Sequence, residues 1–144
     1  MSKKAAKKSV KKAAKKAAKK AAPPPSADFL NKISWNELLV SDVPAAKAFY
    51  TKVFGWKTKP FGEGVDYTVF ENDGKPVAGL MKPSMPGVPP HWLPYVTVKD
   101  IKASADKITK LGGKILVGPF AMPTIGQIAV AMDPLGATFG LHCP

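Results

Sequence analysis

Two stretches decide the fold: WNELLVSDVPAAKAFYTKVFGWK, Trp35–Lys57, and LPYVTVKDIKASADKITKLGGKI, Leu93–Ile115. They align without a gap at an offset of 58 residues. Asp42 then meets Asp100, Val40 meets Val98, Ala45 meets Ala103, Thr51-Lys52 meets Thr109-Lys110, and Gly55 meets Gly113. Each copy alternates apolar and polar residues, meets an aspartate, continues at helical spacing and ends on glycine. That is the order strand, N-cap, amphipathic helix, stop. Ala45, Ala48, Phe49 and Val53 are expected to share the packed face of the first helix. Ile101, Ala105, Ile108 and Leu111 are expected to do so in the second.

Strand-like runs follow each helix. After the first come WKTKPF, VDYTVFE and PVAGLMK, with NDGK as a tight turn. After the second come KILVGPF, GQIAVAM and TFGLHC, with DPLG as the turn. Gly74 and Gly136 occupy matching turn positions. Each half reads βαβββ, so the expected class is α+β, built from two repeated modules. The expected domain spans 29–144: module one 33–82, a proline-rich linker 83–90 (within KPSMPGVPP), and module two 91–144.

Charge divides the chain differently. It carries 22 basic residues against 10 acidic ones, a formal net +12, and every basic residue is lysine. Ten lie in the first 22 residues: Lys3, Lys4, Lys7, Lys8, Lys11, Lys12, Lys15, Lys16, Lys19 and Lys20. That segment contains no acid, so residues 23–144 are close to neutral. Residues 1–28 are expected to form a disordered basic tail ending in the Pro23–Pro25 spacer. Lysines at i,i+4 repel until a polyanion neutralises them. Lysine interleaved with alanine is similar to the tails of linker histones and histone-like bacterial proteins, which implies nonspecific nucleic-acid binding through phosphate contacts.

No apolar run reaches the ~18–20 residues of a membrane span. The basic amino terminus is not followed by the apolar stretch of a secretory signal. Cys143 is the only cysteine, so no intrachain disulfide forms. The expected location is the cytoplasm, with nucleoid association following from the tail. No phosphate loop, GxGxxG, CxxC or HxxxH spacing occurs.

The pieces LLVSDVPAAKAFYTKVFGW, VTVKDIKASADKITKLGG and AVAMDPLGATFGL resemble the glyoxalase/bleomycin-resistance/extradiol-dioxygenase family, also called the vicinal oxygen chelate family. The resemblance covers Ile33 to the carboxyl end. It implies two modules curled into a cup with helices outside, and a homodimer. The family's metal enzymes place ligands seven residues before each cap aspartate and four after each turn glycine. Carried over, those positions are Trp35, Ala78, Leu93 and Gly140. None offers the imidazole, carboxylate or thiolate a divalent cation needs. The match looks closest to a metal-free, glyoxalase-like branch, and no cofactor is implied.

Strand alternation supplies the cup's interior. Trp35, Glu37 and Leu39 face in, as do Leu93, Tyr95 and Thr97. On the last strand Thr138, Gly140 and His142 face in. Glu37 and His142 are therefore the candidate catalytic residues. Trp35, Leu39, Leu93, Tyr95 and Thr97 are the candidate ligand-binding residues. His91 is expected to order the linker, Trp56 and Trp92 to pack or to contact a second copy, and Asp42 and Asp100 to cap helices. An aromatic, mostly apolar floor with few polar groups fits a small planar molecule, bound or converted without metal in the manner of a lyase or isomerase. The alternatives are a ligand-sequestering protein without turnover, and a nucleic-acid-associated protein with a vestigial cup.

Overall fold

The computed structural model describes residues 28–144. The lysine-rich stretch and its expected nucleic-acid contacts lie outside the described residues.

The first module runs β1 (Ile33–Leu39), α1 (Val43–Phe54), β2 (Lys57–Pro60), β3 (Thr68–Asn72) and β4 (Lys75–Met81). The second runs β5 (His91–Thr97), α2 (Ile101–Lys110), β6 (Lys114–Met122), β7 (Gly126–Met132) and β8 (Thr138–Cys143). The eight strands form one sheet in the order β2-β3-β4-β1-β5-β8-β7-β6. β1 runs parallel to β4, and β5 runs parallel to β8. The modules join where β1 and β5 pair antiparallel. The fold is mixed α+β, as the repeat requires.

Both helix starts are set by aspartate. Asp42 accepts from the Ala45 N–H, and Asp100 accepts from the Ala103 N–H, each at 2.9 Å. These bonds satisfy orphan amide donors of the first turn. Gly55 ends α1 in the left-handed conformation, φ 70°. After α2 the left-handed residue is Gly112, φ 87°, rather than the aligned Gly113.

Each helix packs on its own half of the sheet. Leu38, Phe70, Ala78 and Leu80 form one core cluster, with Val40, Val43, Ala46, Tyr50, Trp56 and Val77 against it. Val98, Ile101, Ala129 and Leu141 form the other, flanked by Val96, Ile108, Phe139 and Cys143. Full burial of a side chain such as Leu80 contributes about 1.5–3 kcal/mol. The expected inner face of α1 is corrected here. Val43, Ala46 and Tyr50 face the core, while Phe49 and Val53 are exposed. Tyr50 decides the phase. Its ring stacks on Trp56 and meets Phe70 and Trp92, and its hydroxyl accepts from Trp92 Nε1 at 3.2 Å. In α2, Ile101, Ala105 and Ile108 pack as expected, and Leu111 is exposed just past the helix end. Among the described residues no helix is long and apolar enough to cross a membrane.

Candidate functional site

The β1–β5 seam sets the site. Trp35 stands opposite Tyr95, and Glu37 stands opposite Leu93. Since 35 aligns with 93 and 37 with 95 in the repeat, the pairing exchanges the two copies about a local two-fold. All four side chains leave the sheet on the face opposite the helices. A bulge between Ile33 and Trp35 leaves Ser34 unpaired, and its hydroxyl lies 2.5 Å from the Thr97 hydroxyl. Thr97 is thereby buried and committed within the strand pair.

Glu37 is the site's central group. It is 7% exposed, and Tyr95 Oη donates to its Oε2 at 3.2 Å. The Tyr67 hydroxyl also acts on this carboxylate, and His91 acts on it at longer range through its charge. Burial pushes the Glu37 carboxyl above the usual glutamate value; the two hydroxyls and His91 only partly oppose this. Burial first, then the Glu37 charge, pushes the pKa of both Tyr67 and Tyr95 above the ordinary phenol value, so the phenols stay neutral donors. Trp35 Nε1 donates to Tyr67 Oη at 2.9 Å. The Tyr67 proton is then free to point at Glu37. The network runs Trp35 to Tyr67 to Glu37, with Tyr95 arriving from the other module.

Tyr67 was not among the residues singled out from sequence. It sits one residue before β3, and its ring meets Phe61 edge-on. The available signal was alternation. Val69 pairs with Gly79, which pairs with Glu37, so Tyr67 and Val69 share the cup face.

Two glycines complete the floor. Gly79 is the register partner of Glu37, and Gly140 is the partner of Tyr95. A β-carbon on Gly79 would overlap the Tyr67 hydroxyl, and one on Gly140 would overlap the Tyr95 ring. Ala78 is corrected by this register. It packs in the helix-side core, and an irregularity in the β3–β4 pairing moves Gly79 into the position equivalent to Gly140. The four places where the resemblance puts metal ligands are thus Trp35, Leu93, Gly79 and Gly140. None carries a suitable donor, and phenol rings lie across both glycines. These residues do not fit a divalent ion. Among the described residues no group of three His, Cys, Asp or Glu could hold one.

Leu93 is 1% exposed beneath the site, and Leu39 is half-buried at the end of β1. The structure does not bring the two catalytic candidates together. His142 is level with Thr97, while Glu37 is level with Leu93, so they lie four residues apart along the strands, about 13 Å. His142 Nε2 also contacts the Ile125 carbonyl at 2.8 Å. A carbonyl only accepts, so that nitrogen carries the proton and is engaged. The imidazole near Glu37 is His91 instead. Its Nδ1–H donates to the Pro89 carbonyl at 2.8 Å, ordering the linker, which leaves Nε2 uncommitted.

Comparison with known proteins places this geometry in a family. The chain is similar to "Putative glyoxylase CFP32" of Mycobacterium tuberculosis, 39% identical over 112 residues, covering 76% of this chain and 43% of that protein. It is similar to "Anthracycline biosynthesis protein DnrV" of Streptomyces peucetius, 31% identical over 124 residues, covering 75% of this chain and 45% of that one. The chain spans less than half the length of these relatives. Among solved structures, a superfamily member from Vibrio splendidus 12B01 shares the fold at TM-score 0.53 and 17% identity, covering 76% of this chain and 94% of that one. Methylmalonyl-CoA epimerase from Mycobacterium tuberculosis does so at TM-score 0.53 and 13% identity, covering 82% and 91%. At these identities the structures speak to the fold alone. With residues 32–141 matching its family model, the chain belongs to the glyoxalase/bleomycin resistance protein/dioxygenase superfamily.

Proposed function

We propose that the cup binds a small planar or aromatic molecule without a metal ion, with Glu37 as its polar anchor and proton-transfer group. The observation that carries this is Glu37 itself, a carboxylate buried between Trp35, Tyr67, Tyr95 and Leu93 and held by hydroxyls. Burying a carboxylate for packing alone is unfavourable by several kcal/mol. A carboxyl held above its ordinary value is a better proton acceptor and carrier than a free glutamate, which suits the work of a lyase or isomerase. Trp35 and the two phenols give a flat ligand surfaces to stack on. The likeness to an anthracycline biosynthesis protein supports an aromatic ligand.

Sequestration without turnover is the second reading. It is favoured by the engagement of His142 with Ile125, which leaves Glu37 without the second catalytic partner expected from sequence. A thermal-shift screen of planar aromatic compounds tests the binding reading, and following each hit for chemical change separates enzyme from binder. A screen with no stabilising compound overturns both. Elemental analysis after chelation and reloading tests metal independence: well below one equivalent is expected, and a stoichiometric divalent ion in the cup refutes it.

Two further parts belong to this reading. The ten lysines of residues 1–22 bind nucleic acid without sequence preference. The domain pairs with a second copy, a reading supported by relatives more than twice its matched length. Sedimentation of the full chain tests the pairing.

A further inference from the structure

We infer that the cup's ligand carries an organic ammonium group, seated on Trp35, Tyr67 and Tyr95 against the Glu37 carboxylate. This rests on the small-molecule reading and names the chemistry of that molecule.

The argument is an inventory of donors and acceptors. The Trp35 N–H is spent on Tyr67 Oη, and the Tyr95 O–H is spent on Glu37 Oε2. The Tyr67 O–H, displaced from the Trp35 side, acts on the same carboxylate. The Trp35 and Tyr95 donors are therefore committed inside the network, and the Tyr67 O–H is drawn toward the same carboxylate. What the site still offers is acceptor capacity and π surface. An ionised carboxylate has about four lone-pair positions, and two hydroxyls leave about two of them open. A ligand carbonyl finds at most the Tyr67 O–H among these groups, and only in competition with Glu37. A ligand carboxylate or phosphate meets Glu37 as a like charge. A ligand N–H bearing positive charge meets a carboxylate flanked by the half-buried rings of Trp35 and Tyr67 and backed by the buried Tyr95, an electron-rich setting of the kind that recognises ammonium groups.

Among the described residues, Glu37 also lacks a resident cation at short range. The groups that act on it are Tyr67, Tyr95 and, at longer range, His91; no lysine is among them. The phenols stay neutral because burial and the Glu37 charge both oppose their ionisation. The glycines contribute by omission. Without side chains at Gly79 and Gly140, Tyr67 and Tyr95 lie directly over the backbone, bringing both hydroxyls to one carboxylate.

Three probes of one shape test this on the full chain: 2-phenylethylammonium, 2-phenylethanol and phenylacetate, by calorimetry or tryptophan fluorescence. The ammonium is expected to bind about tenfold or more tighter than the alcohol, with the carboxylate weakest. Its affinity should rise with pH as Glu37 ionises, and any protonated His91 gives the same sign by competing for the site. The alcohol's affinity should stay flat. Glu37→Gln should bring ammonium and alcohol within about threefold of each other. The wild-type pH profile reads the same point should that variant fail to fold. An alcohol or carboxylate that matches the ammonium, a flat ammonium profile, or no binding by any probe overturns the inference. If planar neutral compounds still bind, the small-molecule reading stands and only the ammonium falls. If nothing binds, both fall.

Discussion

The indole N–H of Trp35 donates to the phenol oxygen of Tyr67 at 2.9 Å, across 32 residues of sequence. Trp35 occupies a position where the family resemblance puts a metal ligand, and its indole there makes the first step of a hydrogen-bond chain instead. Removing the middle of that chain has two effects with a common cause. Tyr67→Phe leaves the indole N–H without its partner, at a cost of about 1–2 kcal/mol in unfolding free energy. It also deletes a hydroxyl that favours the charged form of Glu37, so the Glu37 carboxyl should titrate higher still. Denaturant unfolding and carboxyl-carbon NMR titration read the two separately. A Glu37 pKa that stays put or falls would detach Tyr67 from the network.

The two floor glycines should differ in their tolerance of a methyl group. Alanine at either position collides with a tyrosine. Tyr95 stands on the central strand β5 and is buried, so its ring has little room to yield. Tyr67 is half-buried before β3, and the colliding atoms are the far end of its side chain. Gly140→Ala should therefore cost about 1–3 kcal/mol as an overpacked core does, and Gly79→Ala clearly less. Both should weaken binding of any cup ligand. Comparable unfolding losses would show that the Tyr67 loop is as rigid as the central seam.

Much of this was legible because the sequence repeats itself. Two aspartate caps 58 residues apart fixed both helices, and period-2 alternation put Trp35, Glu37, Leu93 and Tyr95 on one face. What alternation could not show was where it breaks. The bulge at Ser34 ties up Thr97, and the β3–β4 irregularity exchanges Ala78 for Gly79. Neither leaves a local sequence mark, because a bulge is settled by pairing with a strand that is distant in the chain. The phase of α1 escaped for a related reason. Phe49 and Val53 share a helical face with Ala45, but Tyr50 gains an aromatic partner from each of three other segments. Facing alone also made His142 a candidate, whereas its bond to Ile125 depends on where the β6–β7 turn lands.

Glu37→Gln should leave the fold intact and raise its stability most at neutral pH. The Glu37 carboxyl is held above its ordinary value chiefly by burial. Below the unfolded value both states are protonated and the residue carries no penalty. As pH rises from there through the folded value, the unfolded chain ionises first, so stability is lost. Glutamine never ionises. The variant's advantage in melting temperature should therefore be absent near pH 4 and grow toward pH 7. An advantage that shrinks with rising pH would mean that Glu37 gains more from its partners than it loses by desolvation.

The amino-terminal lysines should account for nucleic-acid binding without help from the cup. Ten of the 22 basic residues lie in residues 1–22, and the remaining 12 are balanced against 10 acids. Attraction to a polyanion therefore has one dominant source. On duplex DNA each neutralised phosphate contributes about −0.9 to the slope of log K against log salt. With roughly half the ten lysines engaged at once, the slope should be about −4 to −5. Lysine lacks the planar fork with which arginine reads guanine, so affinity should vary little with base sequence. Pro23–Pro25 stand between the lysines and the domain, and proline favours an extended, semi-rigid spacer. Adding a cup ligand should consequently leave DNA affinity unchanged. A salt titration of the full chain beside a chain beginning at Ser26 measures each of these points. Equal affinity of the two, or a slope near zero, would assign the lysines to something other than a polyanion. A shift in DNA affinity on ligand addition would show that the cup and the tail are coupled.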